Sequence, residues 1–184
     1  MAQDFVYFDL ETQKSANDVG GWGHKDKMLM SIGVTYSTAL GRYRIFGENQ
    51  VDELVEQLER ADLVIGFNHI SFDYEVLMGY TVLDLKDRCR SLDLMIDLEA
   101  ELGHRPKLDA VAAASLGVGK TAEGTQALRW WREGKVMEIA EYCAFDVKVT
   151  KMVHEYGVEN GYVKYVNRFN QEQDIPVKWT APQA

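Results

Sequence analysis

An apolar run, Phe5-Val6-Tyr7-Phe8, leads directly into Asp9-Leu10-Glu11-Thr12 within the first dozen residues. The run predicts a β-strand over about Phe5 to Leu10. On a strand, residues i and i+2 share a face. Asp9 and Glu11 therefore stand side by side, and Phe8 and Leu10 turn the other way. Two carboxylates about 4 Å apart repel by roughly 4 kcal/mol at an effective dielectric of about 20. A divalent cation removes that conflict, and oxygen-only ligands suit Mg²⁺ or Mn²⁺. Two solvated acids at a strand end are the ordinary alternative for this pair alone.

The rest of the chain decides which sheet this strand joins. Strands are predicted at Met28–Tyr36 and Arg42–Phe46, separated by a turn at Gly41, which suggests antiparallel hairpins. Apolar residues at 51, 54, 55 and 58 mark an amphipathic helix over Val51–Ala61. Leu63-Val64-Ile65 reads as a short buried strand, and Ser71–Met78 as a helix with Ser71 as N-cap. Leu92–Leu102 reads as a strand edge entering a helix. Leu108–Leu116 is an Ala-rich helix stopped by Gly117. Gln126–Glu133 and Val136–Tyr156 are further helices, and Tyr162–Asn167 is a late strand or extended segment. Hairpins first and crossovers later predict an α/β fold with a mixed sheet flanked by helices. The Gly-rich stretch Gln13–Lys27 reads as a loop. Residues 171–184, with Pro176 and Pro182, read as a tail and a candidate for mobility, beyond a single domain over residues 1–170.

The chain has 184 residues and a net charge of −9, unlike the basic balance of a simple electrostatic binder of nucleic acid. An acidic cluster that captures metal ions reverses its local field, so phosphates are not excluded as substrates. The only cysteines, Cys89 and Cys143, lack a CxxC spacing and suit reduced thiols in a cytoplasmic protein. No apolar stretch approaches the ~18 residues of a membrane span, and acids interrupt the N-terminal run, so no signal peptide is expected.

Two later segments add acids. Val64-Ile65-Gly66-Phe67-Asn68 ends a strand, and Phe72-Asp73 opens the following helix. Asn68 as a turn residue and Asp73 as a helix-start acid are the plain readings. In the long late helix, Tyr142 and Asp146 lie four apart beside the core stripe of Val136, Ile139, Ala140, Cys143 and Val147.

Asp-x-Glu on a first strand, Asn-x-x-x-Phe-Asp after a later one and Tyr-x-x-x-Asp on a late helix together resemble the three motifs of the DEDD superfamily of 3′→5′ exonucleases. Tyr142, rather than a histidine at position 141, places the resemblance in the DEDDy branch. It spans about Phe5 to Tyr156. The run from Leu108-Asp109 through Gly117-Val118-Gly119-Lys120 to Asp146-Val147-Lys148-Val149-Thr150 is also similar to stand-alone exonucleases related to the proofreading domain of family B DNA polymerases. The resemblance implies a ribonuclease-H-like fold with its site at the strand ends. It implies two divalent ions, Mg²⁺ or Mn²⁺, held by Asp9, Glu11, Asp73 and Asp146. Asp9 would bridge them, Glu11 and Asp146 would complete one site, and Asp73 would serve the other through water. Tyr142 would orient the attacking water, since a free phenol has a pKa near 10. Asn68, Phe72, Leu10 and Thr12 become candidate substrate contacts. Single-stranded DNA or RNA 3′ ends become the expected partners, with a replication, repair or RNA-processing protein alongside and no membrane.

Arg105, Lys107, Lys120, Arg129, Arg132 and Lys135 gather late in the chain. They read as a solvated helix face or as guides for a phosphate backbone. Trp130 and Trp131 read as core packing for at least one, with base stacking as the alternative. Gly117-Val118-Gly119-Lys120-Thr121 lacks the earlier glycine of a phosphate-binding loop, since position 114 is Ala. His24, His69 and His104 are assigned no ligand role. The competing functions are a non-catalytic exonuclease-like binding module and a metal-dependent phosphatase or short-oligonucleotide hydrolase.

Overall fold

The computed structural model describes residues 3–119 and 124–183. Its centre is a five-stranded sheet built from β1 (Phe5–Thr12), β2 (Met30–Ser37), β3 (Arg42–Gly47), β4 (Leu63–Gly66) and β5 (Ser91–Asp93), in the order β3-β2-β1-β4-β5. β2 pairs antiparallel with β1 and β3, and β4 pairs parallel with β1 and β5. The mixed sheet expected from the order of hairpins and crossovers is therefore present. β1 is its middle strand, and alternation along β1 divides the interior in two. Phe5 and Tyr7 face a core formed with α5 (Leu94–Leu102), α6 (Leu108–Leu116), α7 (Gly124–Arg132) and α8 (Val136–Asn160). Val6, Phe8 and Leu10 face the opposite core, with α2 (Val51–Arg60), α3 (Asp73–Leu77) and α4 (Leu85–Arg88). The stripe read at 51, 54, 55 and 58 is the face that α2 buries. Each such side chain contributes roughly 1.5–3 kcal/mol on burial.

Three local expectations need correction. The segment read as a loop over 13–27 contains α1 (Ala16–Val19) and a 3₁₀ turn over Trp22–Lys27. Ser15 and Asp18 cap α1 reciprocally, which Ser-x-x-Asp encodes. Ser71 does not cap α3; Phe72 occupies that position without a side-chain bond, and the helix starts at Asp73. The supposed tail is structured. Tyr162–Val166 forms β6, and Glu172–Pro176 pairs with it antiparallel as β7. Ile175 and Trp179 are buried against the larger core. Trp179 lies on α8 at Gly157, where an added Cβ would meet its ring at 2.4 Å, and stacks on His154 at 5.7 Å. Isolated apolar residues between prolines carry no periodic signal, so the sequence alone did not disclose this docking. No described helix is long and apolar enough to cross a membrane.

Candidate active site

β1 outruns its parallel neighbour, and that mismatch creates the site. Pairing of β1 with β4 stops at Tyr7 and Ile65, whereas pairing with β2 continues to Thr12. Beyond Tyr7 the β4-facing edge of β1 has no strand beside it. The loop leaving β4 turns into this gap, and α3 presents Asp73 there. The Leu10 N–H donates to Asp73 Oδ1 at 2.9 Å, which satisfies a backbone donor the sheet leaves open.

Asp9 and Glu11 continue the face of Phe5 and Tyr7, toward α8. α8 lies across this face. Its Cys143 thiol reaches the Asp9 carbonyl oxygen at 3.4 Å and Asp9 Oδ2 at 3.5 Å. One turn along, Asp146 joins them: one carboxylate oxygen each from Asp9, Glu11 and Asp146 lie within 4.8 Å of one another. All three retain some solvent contact, so an ion has a route in. Asp73 stands outside this mutual trio but lines the same cavity as Asp9 and Glu11.

The acids resist ionisation together. Burial, then the charges of Asp73, Asp146 and Glu11, holds the Asp9 carboxyl well above its usual range. Burial and then Asp146 and Asp73 do the same to Glu11. Burial raises Asp73 to about 7, against the lowering effect of the Leu10 N–H. Burial and then Asp109 raise Asp146 to about 7, while the Tyr142 hydroxyl pulls the other way. Such a cluster fits a hard divalent cation: it offers only carboxylate oxygens, and a cation converts mutual repulsion into attraction. Tyr142 has its own pKa raised, first by burial and then by Asp146, Glu11 and Asp9. Its phenol stays neutral, and Trp130 of α7 meets its ring edge-on at 6.1 Å.

The cavity at these strand ends has a volume of about 530 Å³. Leu10, Thr12, Asn68 and Phe72, the candidate substrate contacts, all line it. Asn68 adopts φ 68°, its Oδ1 accepts from Arg105 Nη2 at 3.2 Å, and it remains at the rim. The Thr12 hydroxyl is committed to the Lys14 carbonyl at 3.0 Å, so Thr12 shapes the turn more than it offers a free donor. Four of the basic residues singled out are held in ion pairs. Arg105 holds Glu99, Arg129 and Lys135 share Glu133, and Arg132 reaches Asp18. Lys120 lies outside the described residues. Trp130 and Trp131 both pack against the larger core.

Two participants escaped the motif reading. Trp22, on the 3₁₀ turn, lines the cavity. Its signal was only an aromatic in a Gly-rich loop. Asp93, at the end of β5, accepts from Asn68 N at 2.7 Å, Ile70 N at 3.1 Å and Met95 N at 3.1 Å. It thereby caps α5 and fixes the loop that delivers Asn68 and Asp73. An acid at a strand-to-helix junction was its sequence signal. His69 sits beside it, 3.6 Å from Nδ1 to Oδ2, and burial lowers the imidazole to about 3, so the ring is neutral. Replacing Asp93 by Ala leaves one buried and two partly buried N–H groups without their acceptor. The expected loss is about 2–4 kcal/mol in urea unfolding, with weaker Mn²⁺ binding; a change below about 0.5 kcal/mol would remove Asp93 from this role.

A mixed sheet with antiparallel hairpins first, and acids gathered where the central strand outruns its parallel neighbour, defines the class. The chain belongs to the ribonuclease H superfamily: the family model RNase_H_2, of the RNase_H superfamily, matches residues 6–158. Among solved structures it is similar in fold to the family B DNA polymerase of the hyperthermophilic archaeon Pyrobaculum calidifontis. The TM-score is 0.62 at 16% identity, over 84% of this chain and 24% of the polymerase. The chain thus spans about a quarter of that protein. No curated protein matches it.

Proposed function

We propose that the chain is a metal-dependent 3′→5′ exonuclease of the DEDDy type, acting on single-stranded ends and releasing nucleoside 5′-monophosphates. The observation that carries this reading is the convergence of Asp9, Glu11 and Asp146 within 4.8 Å, on a superfamily fold whose members are mostly nucleases. Asp73 and Tyr142 border the same corner. Asp9, Glu11 and Asp146 would hold one divalent ion, and Asp9 with Asp73 a second. Bound there, such ions supply Lewis-acid charge to the phosphodiester and acidify water.

The chain's own groups do the positioning. Tyr142, kept neutral by burial and by the acids, retains its proton and orients the attacking water by hydrogen bonding. Asn68 offers its amide at the cavity rim, next to the Arg105 guanidinium. Phe72 presents an aromatic wall, since stacking is worth ~1–3 kcal/mol per base. The paired arginines are exposed, and exposed ion pairs contribute only about 0–1 kcal/mol. A phosphate can therefore displace their carboxylates at small cost. The cavity volume is that of a small-molecule site, with room for a splayed strand end and not for a duplex. This narrowness also favours a neighbouring reading, hydrolysis of very short oligonucleotides. Both cysteines are free and buried, which suits the proposed cytoplasmic setting.

The test uses DNA and RNA oligonucleotides, short and long, labelled at either end and incubated with Mn²⁺. Stepwise loss from the 3′ end, yielding 5′-monophosphates and stopped by chelator, is the expected result. Digestion from the 5′ end, cleavage in chelator, or activity that survives Asp9→Ala refutes the assignment. Preference for the shortest substrates selects the trimming variant.

A further inference from the structure

Trp22 is an unusual surface residue. It is 68% exposed, yet the segment that carries it is tied down at its base and against the end of α3. Gln13 N and Lys14 N bond to the carbonyls of Leu29 and Met28 at 2.9 and 3.0 Å, closing the segment at its base. Ser15 and Asp18 cap α1 reciprocally just before it. Gly79, at the end of α3, lets the turn approach so closely that a Cβ would meet the Asp26 carbonyl oxygen at 2.1 Å. The indole meets Phe72 edge to face, with centroids 6.3 Å apart and planes at 61°. Both rings line the cavity that contains Asp9, Glu11 and Asp73. A large aromatic face held open by a fixed backbone, beside a pocket with acids at its floor, matches a flat apolar ligand joined to an anionic group.

We propose that Trp22 is the stacking platform for the terminal nucleobase, with Phe72 bracing the indole and the adjoining phosphate directed to the Asp9–Glu11 corner. The ligand's identity as a nucleotide rests on the exonuclease reading. Every base offers a π face, so the platform reads no sequence. It sets the requirement for an intact base at the strand end, and it makes Trp22 a specificity-determining residue for the reaction.

The platform is tested with and without catalysis. Adenosine 5′-monophosphate with Mg²⁺, titrated into the protein, quenches tryptophan emission. Trp22 is the exposed indole among the four, since Trp130 and Trp131 are half-buried and Trp179 is buried, so the quench disappears in Trp22→Ala and in Trp22→Phe, while the affinity read by calorimetry falls in Trp22→Ala and is partly kept in Trp22→Phe. In turnover, Trp22→Ala raises KM by about tenfold and changes kcat far less. An abasic 3′ terminus weakens the wild-type protein to a similar degree and weakens Trp22→Ala no further. An unchanged KM together with an undiminished quench in Trp22→Ala overturns the platform, whatever the protein's activity. Quenching by the mononucleotide without any phosphodiester cleavage supports the platform and sinks the exonuclease reading. Normal cleavage with equal KM on intact and abasic ends does the reverse.

Discussion

Asp146→Asn is expected to do two opposite things: to lower nuclease turnover on the order of a thousandfold, and to raise the metal-free protein's stability at pH 8 by about 1–2 kcal/mol. The loss follows from removing one of three carboxylates that lie within 4.8 Å of one another. The gain follows from the same crowding. Burial and Asp109 hold the Asp146 carboxyl at about 7, so ionising it inside the fold at pH 8 is unfavourable. Asparagine keeps the shape and an acceptor for the nearby Tyr142 hydroxyl but carries no charge. Asp146 keeps some solvent contact, and screening there holds the gain to this size. Urea unfolding in chelator, beside turnover in Mn²⁺, reads both effects. A variant that loses activity and also loses metal-free stability at pH 8 would show that Asp146 supports the fold and does not compete with its neighbours.

The second large effect is a metal-dependent stability that grows with pH. In the fold, Asp73 and Asp146 have pKa values near 7, against 3.8 for the free side chain. Between those values the folded state binds more protons than the unfolded state, so their contribution falls as pH rises. Asp9 and Glu11, raised well above their ordinary values, extend the decline upward. Two buried histidines oppose it lower down. Burial lowers His69 to about 3 and His154 to about 4, so the unfolded chain takes up protons there first, and the histidine contribution alone rises with pH up to about 6.5. The four acids outweigh the two histidines from about pH 4.5 upward, so the metal-free melting temperature should peak near about pH 4 and fall toward pH 8. Saturating Mn²⁺ at about a hundred times its dissociation constant adds roughly 2.7 kcal/mol, or about 5–10 °C for a chain of this size. That gain belongs to pH 8. Near pH 6 the ion must first displace protons, and the gain shrinks to a degree or two. Scanning calorimetry with chelator or Mn²⁺ at both values checks this. Equal gains at pH 6 and 8 would refute an ion bound to these acids.

The strand and the acids were legible for one reason: β1 is an uninterrupted apolar run that must alternate, so Asp9 and Glu11 had to share a face. The stripe of α2 was legible on the same ground, at a period of 3.6. What brought Asp73 and Asp146 to that face is tertiary. It depends on β4 being shorter than β1 and on α8 crossing the sheet, and neither length nor crossing is written in a single segment. Only the order of three motifs pointed to it. Ser71 looked like a cap because it precedes an acid and apolar residues, but α3 starts two residues later, where Asp73 reaches back to Leu10. The ion pair of Arg132 was not legible because its partner, Asp18, is 114 residues away. Trp22 and Trp179 were opaque for a shared reason: each depends on a glycine in another element that admits a close approach.

The acids and the rim belong to parts of the molecule with different resistance to local opening. Asp9 and Glu11 lie on the innermost strand of five, hydrogen-bonded to β2 along most of its length. Amides there exchange with solvent only when the whole domain opens. Trp22 and the loop carrying Asn68 are tied by a few bonds each, so they detach at lower free-energy cost. On warming, grip on the strand end fades first, while Asp9 and Glu11 keep their places until the sheet itself comes apart.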